Sequence, residues 1–223
     1  MTKGVFCTKE TTQGVDPSPA AIASRLKDML PRQDIYVLNQ MHSDRIITSE
    51  DVTGGDIPDA DGIVSRDPNK ILCVRTADCL PVLAWGSGGN IIAAIHVGWR
   101  GLSKGIVKNG IGVMKDMGAR DIEIFLGPAI GPCCFEVSYT IGKKISPTLN
   151  RRINGSYYID LWEVASYQAH LSGIPFHKIH TFKICTSCYK DLFFSYRGDG
   201  ASTGRNVSVI GGKSWLLPGL RAG

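Results

Sequence analysis

Three neighbouring segments leave this chain few architectures. Residues 71–75 (ILCVR), 80–85 (LPVLAW) and 91–97 (IIAAIHV) are β-prone and apolar on nearly every position. A strand that is apolar on one face can leave the other in water. A strand apolar on both must lie in a sheet covered above and below. The helical signals lie outside this block. Ser18-Pro19 followed by Ala21, Ile22, Leu26, Met29 and Leu30 reads as a capped amphipathic helix. Residues 102–117 carry apolar side chains at helical spacing, and Asp160 with Glu163 opens a capping-box helix that runs to Leu171 before Gly173 and Pro175. A helix is expected to start near Phe135, and strands at 34–38, 122–126, 177–184, 193–196 and 207–210. The mixture has no regular βαβ rhythm, so the fold class is α+β with covered sheets. Residues 49–61 form a long acidic loop with Gly54-Gly55 and Pro58, a length that favours a functional or mobile segment over a plain connector.

Composition narrows the function classes. Of 223 residues, 43% are hydrophobic and 20% charged, which excludes a disordered chain, a fibrous repeat and a coiled coil and fits one domain over residues 1–223. No apolar run approaches the roughly 18–20 residues of a membrane helix, and no signal peptide is visible in the first 30 residues, so the expected compartment is the cytoplasm. Residues 1–100 hold 10 basic and 12 acidic side chains, residues 101–223 hold 15 and 8. The basic residues are not clustered as a nucleic-acid footprint requires, and a modest positive field suits a small anion as well as it suits an ordinary solvated surface.

Candidate chemistry is spread along the chain. His42, Cys79 and His96 have no local zinc-finger spacing. They are either a distributed metal site with an open position, for which His and Cys ligands favour zinc, or two satisfied polar residues and a small core thiol. Asp78 is a base, a carboxylate holding a histidine tautomer, or a turn residue. Arg100 follows the strand carrying His96 and precedes a helix, a position for anion binding or for pairing with the acidic 49–61 loop. Arg197 and Arg205 lie in a Gly-rich stretch suited to an anionic ligand or to a plain exposed turn. The seven cysteines are odd in number, so a disulfide framework is not expected. Cys185-x-x-Cys188 lacks a second CxxC and reads as structural or incidental thiols dispensable for catalysis. The neighbours Cys133 and Cys134 read as poorly placed to face one metal.

The motifs Gln40-Met-His42-Ser, Asp61-Gly-Ile-Val, Thr76-Ala-Asp-Cys79-Leu-Pro-Val, Ala94-Ile-His96-Val-Gly-Trp-Arg-Gly101, Gly127-Pro-Ala-Ile-Gly-Pro-Cys-Cys-Phe-Glu136 and Phe193-Phe-Ser-Tyr-Arg197 with Thr203-Gly-Arg205 resemble, in order, the multicopper polyphenol oxidase or laccase-domain family. That family is also called the purine nucleoside phosphorylase family, and mammalian FAMIN is a relative. The resemblance implies a layered α-β-β-α sandwich with mixed sheets. It implies Zn2+ on His42, Cys79 and His96. Beside that site, the residue-level reading makes Asp78, Cys79 and Arg100 the candidate catalytic residues and Arg197 and Arg205 the candidate substrate contacts. The implied reactions are phosphorolysis of adenosine, inosine, guanosine and methylthioadenosine, and deamination of adenosine. Purine nucleosides and phosphate are then the partners, with no nucleic acid or membrane, and self-association stays open. Against the family pattern the N-terminus is shortened, Arg75 replaces an apolar residue, and Gly198 replaces the second Arg of Tyr-Arg-Arg-Asp. Rival readings are a Cys79–His96 hydrolase or amidase acting on cell-wall precursors, a copper polyphenol oxidase, which five histidines scarcely supply, and a binding module without turnover.

Overall fold

Strand alternation sorts the core into layers. A computed structural model describes residues 3–53, 55–87, 90–146, 150–153 and 155–211. Gly54 of the acidic loop and both ends of the chain lie outside the described residues. The strands are β1 (Lys3–Phe6), β2 (Ile35–Val37), β3 (Ile46–Thr48), β4 (Gly62–Ser65), β5 (Ile71–Thr76), β6 (Leu80–Ser87), β7 (Ile91–Val97), β8 (Arg120–Leu126), β9 (Glu136–Val137), β10 (Asn150–Ile153), β11 (Ser156–Ile159), β12 (Ile179–Thr181) and β13 (Asn206–Gly211). The helices are α1 (Pro19–Met29), α2 (Trp99–Ser103), α3 (Ile106–Asp116), α4 (Tyr139–Ile145), α5 (Leu161–Leu171) and α6 (Tyr196–Asp199).

One mixed sheet has the order β12-β8-β6-β7-β4-β3 and a second the order β1-β13-β5-β2, with a small β10-β11-β9 sheet beside them. The period of two decides which layer each side chain fills. Leu72 and Val74 of β5, Ile63 of β4, Leu83 of β6 and Ile92 and Ala94 of β7 pack between the two large sheets. Ile71 and Cys73 point the other way, onto Ile22 and Leu26 of α1. Val82, Ala84, Ile91, Ala93 and Ile95 point to the opposite outer face, where α3 and α5 cover them. The result is the α-β-β-α sandwich with mixed sheets, and it explains why these strands are apolar on both sides. Each fully buried Leu or Ile in these layers contributes about 1.5–3 kcal/mol. Helix α3 lies so close to β7 that a Cβ on Gly110 would collide with Ile95.

Several sequence expectations are corrected. The helix expected over 102–117 is two helices, because Gly105 at φ 80° caps α3 in the left-handed region and separates it from α2. Phe135 does not start a helix. Cys134 and Phe135 donate back to the Gly131 carbonyl in a turn, and Ser138 caps α4 three residues later. The strand expected over 177–184 is only β12, since Pro175 leads into a 3-10 turn. Residues 193–196 are no strand, because Ser195 caps α6. No helix among the described residues is long and apolar enough to cross a membrane.

Candidate active site at the ends of the central strands

Strand register brings the three separated residues together. In the β4–β7 pair Gly62 stands opposite Ile95, which sets Asp61 beside His96. In the β6–β7 pair Leu80 stands opposite Val97, which sets Cys79 beside the Gly98 end of the same strand. His42 arrives from the loop after β2 in a left-handed conformation, φ 58°. The ligand atoms of His42, Cys79 and His96 all lie within 4.8 Å of one another, with Cys79 Sγ 3.8 Å from His42 Nε2. The two imidazole rings meet edge to face at 4.9 Å. Gly98 leaves the space they need, since a Cβ there would lie 2.9 Å from a His42 ring carbon and 3.4 Å from Cys79 Sγ.

Asp61 organises this corner. Its buried carboxylate accepts from His96 Nδ1 at 2.8 Å, from the backbone N–H groups of Met41, His42 and Ser43, and from the Ser43 hydroxyl. Burial alone would raise its pKa. The bonds from His96 and Ser43, with the charge on His96, instead hold it down at about 2. An Nδ1–H directed at Asp61 leaves His96 Nε2 free to face Cys79 and His42. Burial would likewise raise the Cys79 thiol, but the His96 charge and hydrogen bonds from His42 and His96 lower it to about 6. His96, disfavoured as a cation by burial, is raised to about 9 by the Cys79 thiolate and Asp61. An anionic sulfur and two imidazoles, one with its outer nitrogen anchored, form the donor set a zinc ion takes, so the residues present fit the metal.

Asp78 corrects an expectation. It lines the cleft but does not hold a histidine tautomer; that carboxylate is Asp61. Asp78, at φ 85°, accepts from Thr186 Oγ1 at 2.7 Å and from the Arg197 backbone N–H at 2.6 Å, while its own carbonyl accepts from Ile130. It ties the turn that presents Cys79 to three distant segments.

The triad opens into a cleft of about 810 Å³ edged by Trp99, Phe135 and Tyr196 and by four arginines, Arg75, Arg100, Arg197 and Arg205. None of the four forms an ion pair among the described residues. Arg197 donates to the carbonyls of Cys134 and Glu136, and Arg205 to those of Thr203 and Gly204. Arg75 donates to the carbonyls of Pro17 and Leu38, and its buried Nε has no partner. Burial and the charge of Arg205 pull the Arg75 pKa down. Arg100 lies over the Trp99 ring at 4.6 Å and, among the described residues, forms no ion pair with the acidic loop, the alternative the sequence left open. Four guanidinium groups with neutral partners outnumber the two carboxylates in the lining, Asp16 and Asp78, so the cleft edge is net positive and favours an anion.

A family model described as multi-copper polyphenol oxidoreductase laccase matches residues 5–213. The chain belongs to this family. A protein of Haemophilus influenzae named purine nucleoside phosphorylase is 35% identical over 190 residues, which cover 81% of this chain and 75% of that one. Purine nucleoside phosphorylase YlmD of Geobacillus stearothermophilus is 32% identical over 166 residues, 70% of this chain and 61% of that protein's length. Among solved structures, Bacillus licheniformis YfiH superposes with a TM-score of 0.83 at 29% identity, covering 95% of this chain and 93% of its own. YlmD from Geobacillus stearothermophilus gives 0.84 at 26%, covering 96% and 92%.

The copper chemistry in the family's description has no histidine cluster behind it among the described residues. His170 stacks on Phe176, and His180 stacks on Phe125 and reaches Glu123, all away from the triad. The cysteines also depart from their sequence reading. Cys133, Cys134, Cys185 and Cys188 stand together, their sulfurs all within 4.8 Å of one another, so Cys185-x-x-Cys188 does have partners. Adjacent residues point to opposite sides in a strand but only about 100° apart in a helical turn. The turn closed on the Gly131 carbonyl therefore lets Cys133 and Cys134 face the same point. Asp61 and Gly98 were legible only as parts of motifs, and nothing local marked them as the groups that build the site.

Proposed function

We propose that this chain is a zinc-dependent purine nucleoside phosphorylase, one domain over residues 1–223, that also deaminates adenosine. Adenosine, inosine, guanosine and methylthioadenosine are its substrates together with inorganic phosphate, and the cytoplasm is its compartment. The observation that carries the reading is the set of arginines that, among the described residues, form no ion pair around the His42–Cys79–His96 triad. The names of the relatives supply the substrate class.

Zinc held by His42, Cys79 and His96 would supply a Lewis acid beside the reacting centre. Arg100 and Arg205 bind phosphate, for which a planar fork of donors is suited. Trp99 fixes the Arg100 guanidinium through its ring face, so little side-chain freedom is lost when the anion arrives. Phe135 and Tyr196 offer apolar walls for the purine, and Arg197, held against Cys134 and Glu136, directs its remaining N–H groups to the nucleoside. Asp61 keeps His96 in one tautomer and Asp78 keeps the Cys79 turn in place. In phosphorolysis a phosphate oxygen bonds to C1′ of the ribose as the bond to the base breaks. The base keeps that electron pair and takes up the proton phosphate gives up, and the products are the free base and ribose 1-phosphate, or its 5′-methylthio counterpart from methylthioadenosine. In deamination water replaces the amino group at C6 and ammonia leaves.

The test is to supply inosine with and without phosphate to the metal-loaded protein. Release of ribose 1-phosphate that depends on phosphate and is lost on chelation is the expected result. Turnover unaffected by zinc removal, or free ribose as the sugar product, overturns the reading. The Cys79–His96 pair with Asp61 behind it also fits the hydrolase alternative, in which the thiolate attacks an amide. A thiolate committed to zinc cannot attack, so rapid alkylation of Cys79 in the metal-loaded protein would favour that alternative.

A further inference from the structure

The four-cysteine cluster lies outside the triad and has no part in the proposed reaction. We propose that Cys133, Cys134, Cys185 and Cys188 form a second, structural zinc site that staples together two turns that support the cleft.

Geometry is the first support. Four sulfurs each about 2.3 Å from a central zinc stand about 3.8 Å from one another in a tetrahedron. Cys188 Sγ lies 3.5 Å from both Cys133 Sγ and Cys134 Sγ, and no pair among the four exceeds 4.8 Å. A disulfide requires about 2.05 Å and would use two of the sulfurs, leaving the other two without a role. All four cysteines are free thiols in this structure. Convergence of four sulfurs from turns 54 residues apart points to a ligand shared by all of them.

The backbone around Cys185 also favours an anionic sulfur. The Gly131 N–H donates to Cys185 Sγ at 3.2 Å, a bond that stabilises a sulfur anion. Gly131 gives the sulfurs room, because a Cβ there would lie 3.2 Å from both Cys133 Sγ and Cys185 Cβ. Each turn is closed by its own backbone: Cys134 and Phe135 donate to the Gly131 carbonyl, and Cys188 and Tyr189 to the Cys185 carbonyl. Between the turns, Thr186 donates to the Ala129 carbonyl. On binding, each thiol gives its proton to solvent and each sulfur forms one bond to the ion, with no change of oxidation state. Four soft sulfur donors with no open position make a closed structural site, unlike the triad, whose three ligands leave one position free.

The place in the fold gives the site its consequence. Thr186, between the two ligands of one turn, donates to Asp78, which holds the Cys79 turn. The Cys134 carbonyl of the other turn accepts from Arg197 at the cleft rim. Zinc at the cluster thus fixes two supports of the cleft without touching substrate.

Two measurements test this, and neither reads activity, so they stand apart from the phosphorylase reading. In the first, wild-type protein is treated with iodoacetamide under native conditions, with and without a chelator, and mapped by mass spectrometry. Cys133 and Cys188 are exposed, so free thiols there would react at once. The expected result is protection of all four cysteines that chelation abolishes. Equal alkylation without chelator overturns the proposal, as does an intact mass two hydrogens lighter from a disulfide among these residues. In the second, zinc is counted per chain. We expect two ions in wild type, one in Cys133→Ser/Cys188→Ser and one in His42→Ala/His96→Ala. Zinc content unchanged by the double serine substitution overturns it. The alkylation arm needs no variant, so it decides the matter even if the double serine chain fails to fold.

Discussion

Asp61 Oδ1 and His96 Nδ1 stand 2.8 Å apart, and the same carboxylate gathers the backbone of the loop that presents His42. One buried side chain therefore orients one ligand and places another. Asp61→Asn keeps the size but puts an amide where only acceptors fit. Outer partners of metal ligands are worth about 10–100-fold in metal affinity, and a loss of that size is expected at the triad, measured by competition with a chelating dye. Affinity within twofold of wild type would mean that the loop holds itself.

The Asp61 carboxyl also sets an acid limit. Its folded pKa, about 2, lies below the ordinary carboxylate value, so its contribution to stability is complete above about pH 4 and is lost as pH falls through about 2. The shift corresponds to a contribution on the order of 2 kcal/mol. Thermal unfolding of the metal-free protein followed from pH 5 to pH 2 should show a shallower decline in Asp61→Asn than in wild type. Parallel declines would remove Asp61 from the account.

Chelator-stripped protein should expose the Cys79 thiolate. With its pKa lowered to about 6, alkylation at Cys79 should rise with pH around 6 rather than near the ordinary thiol value of about 8.5. In His96→Ala the midpoint should move up towards that ordinary value, since the largest favourable contribution is the His96 charge. A midpoint that stays near 6 without His96 would contradict the ion pair.

Gly98→Ala should disturb the triad with little cost elsewhere. The added Cβ would press on the His42 ring at 2.9 Å and touch Cys79 Sγ. Metal affinity at the triad should fall roughly tenfold or more, while the four-cysteine zinc count stays unchanged. A crystal structure of the variant with His42 unmoved would refute the contact.

Arg100→Lys keeps the charge and removes the fork. A charge-assisted hydrogen bond is worth about 1.5–3 kcal/mol, so the phosphate KM in phosphorolysis should rise at least roughly tenfold. Deamination uses no phosphate and should stay within about threefold. Equal loss of both activities would assign Arg100 a positioning role instead.

Much of the fold is legible in the sequence. Two-sided apolar strands at 71–75, 80–85 and 91–97 require cover on both faces, because that signal is local and repeats every second residue. Ser18 and Asp160 do cap α1 and α5 as read, again by contacts within one turn. The motifs around His42, Cys79 and His96 were visible as sequence, and the sandwich followed only from the family they resemble. What only the tertiary structure decided is who meets whom. Asp61 reaches His96 through the β4–β7 register, and the Asp78 carboxylate is held by Thr186 and the Arg197 backbone. Cys133 and Cys134 share a face because a turn replaces the expected helix start. Register and turn geometry are fixed by packing between residues far apart in the chain, and that information is carried by no local window of the sequence.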